Sequence, residues 1–237
     1  MKFPVPCNLF KDESIPGLIS RIVQENGYTG LSCVAQLAGE IIKSHFSSAN
    51  FFNLAVGNFN RNYFAEISEN TETEINKSLI KTHNIKPSSD SDSQIVTKNW
   101  RICPDCLSKN GFHHKAWMYS FVTACPKHGT KLVDQCKKCS TALVATKPLS
   151  ENCPKCDEKL TSVPACKSEI DCSRKLIQAV TSNTIVDGQD IDSILSRLMI
   201  ALYLSNSSSL RARHKYSPQL MKVDEIGLLV QKLWVVA

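Results

Sequence analysis

Between Cys103 and Cys156 the chain places eight potential metal ligands in four short clusters, and this spacing limits the fold more than any other feature. The clusters are Cys103-Pro-Asp-Cys106, Cys125-Pro-Lys-His128, Cys136-Lys-Lys-Cys139 and Cys153-Pro-Lys-Cys156. A pair of ligands two residues apart shares one face of a tight turn, and two such turns complete the closed tetrahedron of a structural zinc ion. Proline after the first cysteine in three of the four clusters restricts the turn before any metal binds. A lone pair of this type would equally suit a disulfide, a buried thiol or a redox couple. Four in succession favour metal: Cys103, Cys106, Cys125 and His128 as one site, and Cys136, Cys139, Cys153 and Cys156 as an all-thiolate site. Two structural zinc ions with every position filled by protein leave none for a reacting water.

An interleaved arrangement, as in a ubiquitin-ligase-like RING module, would pair the first cluster with the third. The seven residues from Gly129 to Gln135 are too many for that cross-brace and suit a strand between two consecutive fingers. The enzymatic alternative finds no support in any catalytic zinc motif or in a nucleophile, base and orienting group at recognisable spacing.

The eleven cysteines follow no export signal, which implies a reducing, cytoplasmic setting that keeps thiolates available for metal. No apolar run is long enough to span a membrane. The net charge of +6 is concentrated: residues 97–160 hold eleven Lys or Arg against five Asp or Glu. That excess suits a polyanionic partner or simply a solvated surface.

Around the fingers the pattern is helical, giving a mostly α fold with small zinc-ribbon β elements. Residues 12–27 carry Ile15, Leu18, Ile19, Ile22 and Val23 on one face, with Ser14 to cap and Gly27 to stop. Further helices are expected at 32–39, 47–56 and 71–83, the last opening on a Thr71/Glu74 capping box. Short helices joined at glycines form either a helix-turn-helix or a plain bundle. Asn50, Asn53, Asn58, Asn60, Arg61 and Asn62 offer groups suited to bases or phosphates, or an ordinary wet face. The polar run from Lys86 to Ser93 reads as a linker. The expected domains are an N-terminal helical unit at 1–86, a linker at 87–96, tandem fingers at 97–162 and C-terminal helices at 163–237.

Leu132-Val133 and Ala142-Leu143-Val144 are expected as ribbon strands, and residues 116–123 as a strand or short helix under the first zinc. Trp100, Trp117 and Phe121 suit either base stacking or a small core. Beyond Pro164, Ile170, Leu176, Ile177 and Val180 mark one helix, residues 191–203 a stronger one, and Leu228, Leu229, Leu233 and Trp234 a last apolar segment. Cys7, Cys33, Cys166 and Cys172 are expected to be ordinary thiols.

These parts, in this order, resemble the TniQ family, which includes TnsD-like target selectors of bacterial transposons. The resemblance rests on Asp12-Glu13-Ser14 followed by a helix containing Ser20-Arg21, on Arg101-Ile102-Cys103-Pro104-Asp105-Cys106-Leu107, and on Trp117 leading into Val122-Thr123-Ala124-Cys125-Pro126-Lys127-His128-Gly129. It continues from Leu132 through Cys139 and on to Cys153–Cys156, covering roughly residues 3–160. It implies a non-enzymatic adaptor with a helix-turn-helix region and two zinc fingers, linking a target-site recogniser to the transposon AAA+ ATPase and so to the transposase. In one branch the recognised address is an attachment site in DNA. In the CRISPR-associated transposons it is an RNA-guided effector complex, on which such proteins often sit as a homodimer. The chain is short at its C-terminus beside long TnsD-like members, which favours the adaptor role. Lys137, Lys138, Arg211, Arg213 and Lys215 are the expected nucleic-acid contacts.

Overall fold

The computed structural model describes residues 2–39, 47–80, 96–182 and 222–234. Among the described residues the fold is mostly helical, with one two-stranded antiparallel sheet. Helix α1 (Ile15–Glu25) begins where expected. Ser14 is extended, its Oγ accepts from the Gly17 amide at 3.0 Å, and Pro16 stands in the first turn, where a missing N–H costs nothing. The stripe Ile15, Leu18, Ile19, Ile22 and Val23 is buried along its length. Burial of these five side chains contributes on the order of 10 kcal/mol.

Helices α2 (Leu31–Leu37) and α3 (Ser48–Val56) pack on α1. The latter opens on a Ser47/Asn50 capping box and stops at Gly57, whose φ is 88°. Helix α4 (Arg61–Ser68) was not expected from periodicity. Asn60 caps it by accepting from the Tyr63 amide at 3.1 Å, and Phe64, Ala65 and Ile67 face the core. Part of the asparagine-rich run is therefore spent inside the fold. Asn60 and Asn50 are caps, and Arg61 donates to Asn76 at 2.9 Å. Helix α5 (Glu72–Ser78) starts on the expected Thr71/Glu74 box but ends at Leu79, which is extended. The Lys86–Ser93 linker, the 191–203 helix, and Arg211, Arg213 and Lys215 lie outside the described residues.

Helix α6 (Pro104–Asn110) follows directly from the first cysteine cluster, and a 3-10 turn (Lys115–Met118) takes the segment expected as a strand or short helix. Strands β1 (Ala124–Cys125) and β2 (Thr130–Lys131) form the sheet. The strands expected at 132–133 and 142–144 are instead single bridges, Ile102 with Val133, Gln135 with Ala142 and Asn99 with Val144. Each ladder is cut short because the chain turns into a cysteine cluster within a few residues. Helix α7 (Lys167–Ser182) packs on β1, where Ser173 Oγ accepts from the amides of Thr123 at 3.2 Å and Ala124 at 3.0 Å. Helix α8 (Val223–Trp234) lies on α7 with Gly227 against the buried Glu169 carboxylate, which a Cβ at that position would overlap. Asp134 accepts from the Val223 amide at 2.7 Å, placing negative charge at the start of α8. No helix among the described residues is long and apolar enough to cross a membrane.

One apolar core runs from Phe3 to Val230 and joins the N-terminal helices to the cysteine-rich region. Phe51 meets Trp100 edge-on at 4.7 Å, and Trp100 meets His113 at 5.0 Å. At the junction, Ser14 hydroxyl donates to His113 Nδ1 at 2.8 Å, and His113 Nε2–H donates to the Arg101 carbonyl at 3.0 Å. Backbone pairing of Ser14 with His113 and of Lys115 with Asp12 closes the same seam. Leu149 accepts from Gln24 and donates its amide to Ser20 Oγ at 2.7 Å.

Ser14→Ala removes the cap of α1 and strips His113 of its donor, so unfolding free energy should fall by about 2 kcal/mol, read as a lower urea midpoint at unchanged slope. Burial holds the His113 imidazole down at about 3, so the folded protein keeps it neutral while the unfolded chain takes a proton below about 6.5. Its contribution is therefore complete above pH 6.5 and lost as pH falls toward 3. The stability gap between wild type and His113→Gln should narrow by up to about 1.4 kcal/mol per pH unit across that window; a pH-independent gap would contradict the assignment.

Candidate metal centres

All four clusters close in the same way. The amide four residues beyond the first cysteine donates back to its carbonyl: Leu107 to Cys103, Gly129 to Cys125, Ser140 to Cys136 and Asp157 to Cys153, at 2.8 to 3.0 Å. In the first cluster the turn continues as α6, with Cys103 in the cap position and Pro104 at the first helical residue. In the other three the fourth residue is left-handed, with φ of 65° at Gly129 and 55° at Ser140 and Asp157. Only Gly129 announces this in the sequence, because glycine alone takes that conformation without a steric penalty. Short antiparallel bridges flank the last two turns, Gln135 with Ala142 and Asn152 with Lys159.

The turns converge in consecutive pairs. The donor atoms of Cys103, Cys106, Cys125 and His128 all lie within 4.8 Å of one another, and so do those of Cys136, Cys139, Cys153 and Cys156. No interleaving of the RING kind occurs. In the first group, His128 Nδ1 stands 3.3 Å from the sulfurs of both Cys103 and Cys106, and Cys106 Sγ is 3.6 Å from Cys125 Sγ. In the second, Cys136 to Cys156 is 3.7 Å and Cys139 to Cys153 is 3.5 Å. A tetrahedron with zinc-like bond lengths has edges of about 3.8 Å between sulfurs and about 3.6 Å between sulfur and nitrogen. A disulfide would need about 2.05 Å, and every cysteine is free. The donor set thus fits a tetrahedral ion in both places.

Electrostatics agrees. Three or four thiols this close cannot all ionise without a cation. In the first group Cys125 is drawn down to about 3 by the Cys103 and Cys106 thiols and by the His128 and Lys127 amides, while the Cys103 and Cys125 thiols push Cys106 up. A divalent ion would let every thiol lose its proton. With two divalent ions bound, seven thiolates would leave three negative charges and halve the +6 of residues 97–160.

The two centres differ in depth. Cys103, Cys106 and Cys125 are buried, with His128 partly so, whereas the second centre pairs buried Cys136 and Cys153 with partly exposed Cys139 and Cys156. Trp100, Trp117 and Phe121 are core residues rather than a stacking surface. Lys137 is exposed, and Lys138, also exposed, pairs with Glu158 at 2.6 Å. Cys172 is buried and its thiol is pushed up to about 12, consistent with an inert thiol. Sequence reasoning missed His113, which carries no motif; Ser14 and His113 resemble a nucleophile and base but are buried, and the third partner is a carbonyl.

Cys153→Ser should remove one of two metal equivalents and leave the helical circular dichroism nearly intact, since only two short hairpins depend on that centre. Cys103→Ser should remove the other equivalent and lower global stability by about 3 kcal/mol or more, because its ligands sit in the core. Elemental analysis and urea titration of both variants check this; two equivalents retained in either would contradict the ligand assignment.

A comparison with protein families matches residues 4–132 to TniQ, a span that includes the first centre whole and stops short of the second. No curated protein matches the chain. Of the motifs that suggested the family, those that build the seam and the first centre fall inside the match, while those of the second centre lie beyond residue 132; with more than half its length matched the chain belongs to the TniQ family.

Proposed function

We propose that this chain is a non-enzymatic targeting adaptor of DNA transposition. It links a target-site recogniser, either an RNA-guided CRISPR effector complex or DNA itself, to the transposon AAA+ ATPase and through it to the transposase. The observation that carries this reading is the TniQ match over a domain whose first metal centre is closed by four protein donors. Such a centre fixes shape and has no position for a substrate. Thiolate-rich tetrahedral donors suit zinc above other available divalent ions, so both centres are assigned structural zinc. That chemistry requires reduced thiols and fits a prokaryotic cytoplasm. The N-terminal helices act as a helix-turn-helix-like docking unit, and Lys137, with the basic residues 211, 213 and 215, supplies phosphate contacts.

The test uses the full, zinc-loaded chain, a transposon AAA+ ATPase from the same host, and DNA. Co-elution with the ATPase on size exclusion is expected, together with DNA affinity that falls by about tenfold or more from 50 to 200 mM salt. Affinity flat with salt would place recognition on protein contacts, and tight sequence-specific binding without a recogniser would make the chain a direct attachment-site selector. Absence of any ATPase complex would overturn the adaptor reading.

A further inference from the structure

We infer that the second metal centre is a thiol-disulfide site, sensitive to peroxide, that opens while the first stays closed. The inference rests on the two-zinc reading and on a contrast in geometry. Three of the first centre's ligands are buried, one caps α6 and another lies in β1, so an oxidant reaches them only by opening the core. In the second centre Cys139 and Cys156 are partly exposed. Each faces a buried partner from the other hairpin, Cys153 at 3.5 Å from Cys139 and Cys136 at 3.7 Å from Cys156. Susceptibility of a thiolate to oxidation follows its exposure, and a sulfenic acid with a second thiolate within reach condenses to a disulfide before further oxidation.

The chemistry balances with hydrogen peroxide as oxidant. The Cys139 thiolate attacks one peroxide oxygen, the O–O bond breaks, and the departing hydroxide takes a proton to become water. The Cys153 thiolate then attacks the sulfenic sulfur, the S–S bond forms, and the oxygen leaves as hydroxide, protonated to a second water. Two thiolates have lost two electrons to one peroxide, and the centre is left with two of its four donors. The sulfurs need to approach by only about 1.5 Å.

The loop between the hairpins would hold meanwhile. Leu143, Ala145 and Leu149 are buried, Trp100 Nε1 donates to the Lys147 carbonyl at 2.9 Å, and Leu149 is tied to Ser20 and Gln24 of α1. Opening is thus confined to the hairpin tips and is reversed by a thiol reductant with zinc.

The experiment first counts zinc in the untreated full chain; fewer than two equivalents would fail the metal reading before the inference is tested. Hydrogen peroxide is then added with a chromogenic zinc chelator present, and disulfides are mapped by mass spectrometry after thiol blocking. Expected are about one equivalent released at least about tenfold faster than the second, a Cys139–Cys153 crosslink, unchanged helical circular dichroism, and recovery of zinc on treatment with dithiothreitol. Simultaneous release of both ions, earlier loss from the first centre, or oxidation of Cys139 to sulfinic acid without a crosslink would overturn it.

Discussion

The convergence of Cys103, Cys106, Cys125 and His128 is the constraint on which the cysteine-rich half depends. It gathers the start of a helix and the turn of a hairpin at one point. Between them run only short ladders, so regular sheet contributes little to holding them. Four donors on one ion would supply folding energy that such brief strands cannot. Ile102 and Val133 exchange backbone hydrogen bonds just outside this point and carry its geometry toward the second centre.

The N-terminal motifs acquire a physical meaning from the seam. Glu13 is buried, and its carboxylate takes two hydrogen bonds of 2.7 Å from Arg21, which also donates to the Asn8 carbonyl. The guanidinium lies 4.5 Å from the centre of the Phe10 ring, and Phe10 stacks on Phe112 of the cysteine-rich region at 5.1 Å. Desolvation pushes the Glu13 carboxyl upward and Arg21 pulls it back. A buried pair of this kind adds less net stability than orientation, since each charge must give up water. It holds the loop before α1 in the one arrangement that lets Ser14 reach His113.

What the sequence made legible is local. Ligand spacing, the caps of α1 and α5, the extent of α3 and the apolar stripe of α1 all depend on residues within one or two turns of each other, and each stands close to its expected place. Helix α4 was missed because its N-cap sits in an asparagine-rich run that also suits an exposed face. Helix α6 was hidden by its own metal motif. The left-handed turns at Ser140 and Asp157 gave no signal because the closed knuckle, not residue preference, imposes them. His113 and Asp134 gave none because their partners lie far along the chain.

The bond between Ser14 and His113 joins residues separated by 99 positions. During synthesis the leading helix leaves the ribosome well before its fastening exists, at a time when its apolar stripe has only neighbouring helices to cover it. Long-range closure of this kind slows folding. The ligands of the first centre, from Cys103 to His128, bracket His113 along the chain, so the donors that close that centre and the residue that locks the leading helix emerge together.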